Sequence, residues 1–593
     1  MNKARKKKYK RGLARHLVHE SFVLSLTRRL STRFVRFFEF GFASILLKSY
    51  RVTDDFVRQK ITGRVFNKLS LRENFIQPAR NAAASFFAEN TVMKWFSVLR
   101  TRFLNTSVRS VGIFSLFFGI YAAALFLLKS YVSLSFGTAA DINDISTAAV
   151  CALIGILFIL FGDKTLISTL GGGRIIGSLL SRCLGANDSS LERYKNANAV
   201  NDVAVAFLLG SLCGILTMFF APAKVLIGLL AVLVAIAIMN IPEFGLLIAV
   251  SGVSFMPIWL LTAVCLLTFA SHLFKCLRLK RNLSFGTADV VMLLACFSML
   301  IVFAGWGGGM TEGEKYLFCF TLLYFAAKNL LVSETLVIQS FNALCFGTSI
   351  GMALYILGDF ATLIPHEELR SAALLLTRHT LAPEMLAVLV VSVLPFALAS
   401  FSHVDGRRPR KSFLILTLAS LIITDSAFFY LLVFVSLFVY IAFAYKAPAG
   451  ALLGALVTIP TVSFYTFEHT LSHVVRFGER LSYDSVLSVS ENAVGANLWT
   501  AAMEVGLGFA VLLFFAAMLL IFQRLLGTGI GEAGTRRTLF IGTAASSATM
   551  LLVCSFIFNS LYDIRIYAVM CFIFGLCGGL YKTISVVKRS EEV

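Results

Sequence analysis

The sequence predicts an all-α polytopic membrane protein, with about 14–16 transmembrane helices and a basic N-terminal cytoplasmic extension, on three observations. First, from Val111 onward the chain is a near-continuous series of apolar runs, among them GIFSLFFGIYAAALFLL, VLIGLLAVLVAIAIM and FAVLLFFAAMLLIF. With their flanks these approach the roughly 20 apolar residues a helical span requires. They lack the period-2 alternation of barrel strands, and only helices or closed barrels satisfy every backbone group in lipid. Second, a mean hydropathy of +0.82 with 58% hydrophobic and 14% charged residues lies outside the range of soluble chains. Third, Lys and Arg fall on alternate connections between the runs, as cytoplasmic loops require.

The elements follow in order. Residues 1–110 form a basic amphipathic segment. Residues 1–109 carry 24 of the 53 Lys+Arg and 6 of the 32 Asp+Glu, a net +18, while the rest of the chain adds only +3. KARKKKYKRGLAR and the Phe- and Arg-rich stretch Ser25 to Tyr50 read as surface helices attracted to anionic lipid, at about 1 kcal/mol per basic residue. Anionic membrane lipid is the expected partner of this segment, not nucleic acid. No secretory signal peptide is expected, because the first long apolar run begins only near Val111.

Residues 111–593 form the integral-membrane domain. Expected spans are 111–128, 146–162, 203–220, 223–240, 243–256, 257–274, 286–305, 315–331, 337–357, 384–402, 412–425, 428–445, 449–465, 500–523, 538–557 and 565–582. The pair at 243–274, broken by Pro257, is short and also fits a re-entrant hairpin. The basic connections 163–202, 275–281, 407–411, 524–537 and 582–593 place both termini in the cytoplasm of a multi-pass cell-membrane protein.

The 11 cysteines lie in or beside apolar runs or in the inward loop, without a CxxC pair, which fits reduced thiols between helices and no zinc site. No Walker loop, HExxH or GxSxG is present. The GGG at 171–173 and 307–309 are turn signals, so nucleotide-driven transport has no support. A transporter of another kind would favour an internal repeat with broken helices, and none is evident between the halves.

Two outward connections are unusual. The first, 358–383, holds His366, Glu367, Glu368, Arg370, Arg378 and His379; the second, 466–499, holds Glu468, His469, His473, Arg476, Glu479 and Arg480. Four of the eight His lie in these two loops. Basic residues are disfavoured in short outward loops. One reading is an anion site for a lipid diphosphate, with Arg giving bidentate contacts and a His as acid or base. The other is a solvated surface whose charges pair among themselves.

Segment order and short motifs resemble the O-antigen ligase and lipid-linked polysaccharide polymerase family over residues 110–590. LYFAAKNLLVSETLVIQSFNALCFGTSIGMALYILG (Leu323 to Gly358) is similar to the family's Tyr-Phe helix, inward turn and long helix. LAPEMLAVLVVSVLPFALA (Leu381 to Ala399) resembles its Asn-Pro-Asn helix start, and Ser412 to Tyr440 its Thr-x-Ser-Arg-Gly helix pair. Ala496 to Arg524 resembles the segment that opens the helix after the catalytic loop. The chain has Ala382-Pro383-Glu384 for Asn-Pro-Asn, Ser426-Ala427-Phe428 for Ser-Arg-Gly, and Ala496 for the His before Asn497-Leu498, while Glu504 and Gly506 are kept.

The resemblance implies a cell-envelope polysaccharide function without metal or cofactor, the transfer of a glycan from a polyprenyl-diphosphate carrier to an acceptor on the outer face. Under it Arg476, Arg480, His469, His473 and Glu504 are the catalytic candidates, and Arg370, Arg378 and His379 the substrate-binding ones. A catalytically reduced member that binds lipid-linked glycan or scaffolds an envelope complex is the alternative, and a polysaccharide or lipid transporter a second.

Overall fold

The computed structural model describes residues 81, 82, 85, 105–131, 142–160, 164, 165, 168, 169, 201–277, 281, 287–305, 312–361, 365–377, 381, 383–399, 413–417, 427–444, 454, 512, 513, 515–521, 536–557 and 564–591. The described chain is all-α. Fourteen named helices account for it, and two residues, Ser107 and Thr165, form an isolated antiparallel bridge. Most of the basic segment and of the expected spans 412–425, 449–465 and 500–523, and both GGG turns, lie outside the described residues.

The helices are α1 (Val108–Tyr131), α2 (Ile142–Leu160), α3 (Val203–Leu216), α4 (Pro222–Asn240), α5 (Pro242–Gly252), α6 (Ile258–Leu277) and α7 (Thr287–Gly305). They continue with α8 (Glu312–Leu330), α9 (Glu334–Ala361), α10 (Glu367–Thr377), α11 (Pro383–Leu398), α12 (Ala427–Ala444), α13 (Arg536–Ile557) and α14 (Ile564–Glu591). Four of them, α1, α4, α6 and α9, are long and apolar enough to cross a membrane; eight shorter apolar helices accompany them among the described residues. The expected span 243–256 is an eleven-residue helix ended by a turn before Pro257. At 1.5 Å per residue it is about 16 Å long, too short to cross a hydrocarbon layer of about 30 Å.

The chain divides into two compact units. One comprises residues 77–247 and 270–282 and holds α1–α4. Here glycines set how closely the helices pack. A Cβ on Gly112 would lie 2.8 Å from Gly155 O, and one on Gly119 2.6 Å from Ala148 O, so α1 and α2 meet backbone to backbone. Gly210 of α3 does the same against Phe114 O of α1, and Gly214 makes room for the Tyr121 Cβ. Phe118, Cys151 and Cys213 form the core between them, with Val225, Leu226 and Leu229 of α4 against it. Val108 N–H donates to Lys164 O at 2.9 Å, so the start of α1 and the end of α2 share one side.

The other unit comprises residues 1–76, 248–269 and 283–593. Its centre is α13, whose Gly-Thr-Ala-Ala-Ser-Ser-Ala run (542–548) is almost wholly buried. Small side chains there let three helices approach. Gly542 faces Phe443 O and Ala444 of α12, Ser547 Oγ donates to Ser392 O of α11 at 2.5 Å, and Cys577 of α14 lies over Ala544 O. Ser436 Oγ of α12 donates to Val391 O at 2.8 Å, tying α12 to α11. Other buried hydroxyls bond within their own helix, as Thr348 does to Leu344 O and Thr543 to Leu539 O. This removes the cost of burying an unpaired polar group.

Candidate functional site

Of the sequence-predicted site residues, the structure describes Arg370. It lies in a region read from the sequence as a connection, but α9 runs on to Ala361 and residues 367–377 form a further helix, α10. The local cause is a stretch of good helix formers, EELRSAALLLT, two residues after Pro365. Arg370 N–H donates to His366 O at 2.9 Å in the first turn. Ala373 is buried, and a Cβ on Gly358 would touch the Thr377 side chain at 3.4 Å, so α10 folds back on the end of α9. Arg370, His366 and Glu367 are exposed. Arg378, His379, His469, His473, Arg476, Arg480 and Glu504 lie outside the described residues.

The structure assembles a different polar group, one that the loop-centred reading missed. Asp289 in the first turn of α7 accepts hydrogen bonds at both carboxylate oxygens. Tyr324 OH donates to Oδ1 at 2.7 Å, and Lys328 Nζ, from the last turn of α8, pairs with Oδ2. Asp289 and Tyr324 are fully buried and Lys328 nearly so. The charges suit their helices, an anion at a helix start and a cation at a helix end.

The neighbouring helix α14 is shaped to this group. Gly575 packs on Tyr324 O, where a Cβ would lie at 2.6 Å. A Cβ on Gly578 would meet Lys328 Cδ at 3.3 Å, and one on Gly579 Lys328 O at 3.2 Å. The Lys328 stem therefore lies along a glycine cradle. One and two turns earlier, Thr321 Oγ1 and Tyr567 OH share a 2.7 Å hydrogen bond. Residue numbers rise together along this contact, so α8 and α14 are parallel, and the end of α14 shares a side with the start of α7.

Chemically, this is a satisfied buried ion pair with a tyrosine donor. In a membrane domain such ionisable residues usually pair with one another or mark a functional path. Its sequence signals were Asp289 at the start of one apolar run and Lys328 inside another. Arg370 lies beyond the far end of α9, whose 28 residues span about 42 Å. The exposed arginine and the buried pair therefore belong to opposite ends of this unit.

Elsewhere, in the first unit, Arg281 pairs with Glu243, Lys275 Nζ donates to Asn240 O, and Cys276 Sγ lies 3.6 Å from His272 Nε2. Among the described residues no three His, Cys, Asp or Glu gather to hold a metal. No family model, curated protein or solved structure matches the chain.

Proposed function

We propose that the chain is a polytopic membrane protein of the cell envelope that transfers a glycan from polyprenyl diphosphate to an acceptor hydroxyl on the outer face. The observation that carries this reading is the arrangement around α10. A helix bearing exposed Arg370 sits between the long α9 and the proline-started α11, at the end of the unit opposite the buried ion pair. Under the resemblance this segment carries the substrate-binding candidates Arg370, Arg378 and His379.

In the proposed reaction the bond between the sugar anomeric carbon and the diphosphate oxygen breaks, and the electron pair leaves with the diphosphate. The acceptor oxygen bonds to the same carbon, and its proton passes to His469 or His473. Arg476 and Arg480 would hold the departing charge by bidentate contacts that lysine does not reproduce, with Arg370 and Arg378 as substrate-binding residues.

Ala427, the first residue of α12, stands where the family carries arginine. That residue favours the second reading, a member that binds lipid-linked glycan without turning it over.

The test is full-length protein in liposomes containing a polyprenyl-diphosphate-linked oligosaccharide, read by release of polyprenyl diphosphate. Release is expected, and the Arg476→Ala, Arg480→Ala double variant should lower it by about 10²–10³. Binding without release selects the second reading. Neither binding nor release removes both.

A further inference from the structure

We infer that Asp289 and Lys328 are an insertion-matched charge pair, each charge making the other tolerable in an apolar layer, with α14 closing over them. The inference rests on the membrane reading above, and it assigns the pair to assembly of the fold rather than to substrate.

Four observations carry it. The two charges lie on consecutive helices, at the start of α7 and the end of α8, which an antiparallel hairpin of the two sets side by side. Both carboxylate oxygens of Asp289 are engaged from α8, one by Tyr324 and one by Lys328. Each charge sits at the helix end whose dipole favours it. The glycines of α14 lie where any larger side chain would strike the Lys328 stem or backbone. α14 follows α7 and α8 in the chain, so the pair is already neutralised within α7–α8 when its cover is made.

The physical logic predicts a specific coupling. Removing one partner of a buried pair leaves an uncompensated charge and is strongly destabilising, whereas replacing both by neutral groups is often tolerated. A substrate-binding or proton-carrying role would need each charge for itself, and there a second substitution would not repair the first.

The experiment expresses the full-length chain as wild type, Asp289→Asn, Lys328→Met and the double variant, and measures the amount resisting alkaline carbonate extraction from membranes. Wild type should be retained, each single variant should fall severalfold, and the double variant should return close to wild type. A double variant no better than the worse single, or single variants at the wild-type level, overturns the inference while leaving the membrane reading intact. Wild-type protein extracted by carbonate overturns the membrane reading and this inference with it.

Discussion

Gly347 offers a quantitative test of the packing because a second glycine, Gly228, provides an opposite control. A Cβ on Gly347 of α9 would fall 2.6 Å from the carbonyl carbon of Ser251 and 2.7 Å from its Cα, with the carbonyl oxygen closer still. These are backbone atoms that no rotamer change can move. The same contact carries the 2.5 Å hydrogen bond from Ser254 Oγ to Gly347 O. Gly347→Ala should therefore add overpacking of about 1–3 kcal/mol and weaken a hydrogen bond worth about 0.5–1.5 kcal/mol. Against this, alanine regains about 0.8–1 kcal/mol of helix propensity. The net expectation is a loss of about 0.5–3.5 kcal/mol. Gly228 of α4 has nothing within 4 Å of its Cβ position, so Gly228→Ala should gain the propensity term alone. Thermal unfolding of the two variants in one detergent should shift in opposite directions, down for Gly347→Ala and up for Gly228→Ala. Shifts of the same sign, or an unchanged Gly347→Ala, would refute the close backbone contact.

Further outcomes are expected elsewhere. Lys129→Met removes the 2.8 Å bond from Lys129 Nζ to Thr217 O just past the end of α3, and should lower thermal stability by about 0.5–1.5 kcal/mol. Arg281→Gln should cost no more than about 1 kcal/mol, because its pairing with Glu243 is partly exposed, with side chains 31% and 16% accessible. A fragment of residues 1–105 should bind phosphatidylglycerol vesicles and be released as salt rises past about 0.1 M, where the Debye length is about 10 Å. Equal binding to neutral vesicles would remove the electrostatic account.

Much of the helical plan was legible because apolar runs and basic connections are local signals. The expected spans 203–220, 223–240 and 538–557 fall on α3, α4 and α13 to within a few residues at each end. The break at Pro257 likewise ends a short helix and starts another, because proline tolerates only the first turn. What was not legible depended on distance in sequence. Asp289 and Lys328 each look like a stray charge in an apolar run; that one answers the other across 39 positions is visible only once α7 and α8 are packed. The glycines of α14 read as ordinary small residues until the Lys328 stem is seen against them. α10 was missed because a charged stretch with two histidines resembles a surface loop, whereas Ala373 is buried and Thr377 lies against Gly358 of α9. Of the arginines expected to hold a diphosphate, Arg370 is placed, exposed on α10.

The central claim is that α9 crosses the membrane, with the Arg370-bearing helix outside and the α8–α9 turn inside. Single cysteines at the exposed positions Ser371 and Ser333 test it most directly, each compared with the parent chain for labelling of intact cells by an impermeant thiol reagent. Ser371→Cys should label from outside, and Ser333→Cys only after the membrane is opened. Labelling of both from outside, or of Ser333→Cys alone, would contradict the account.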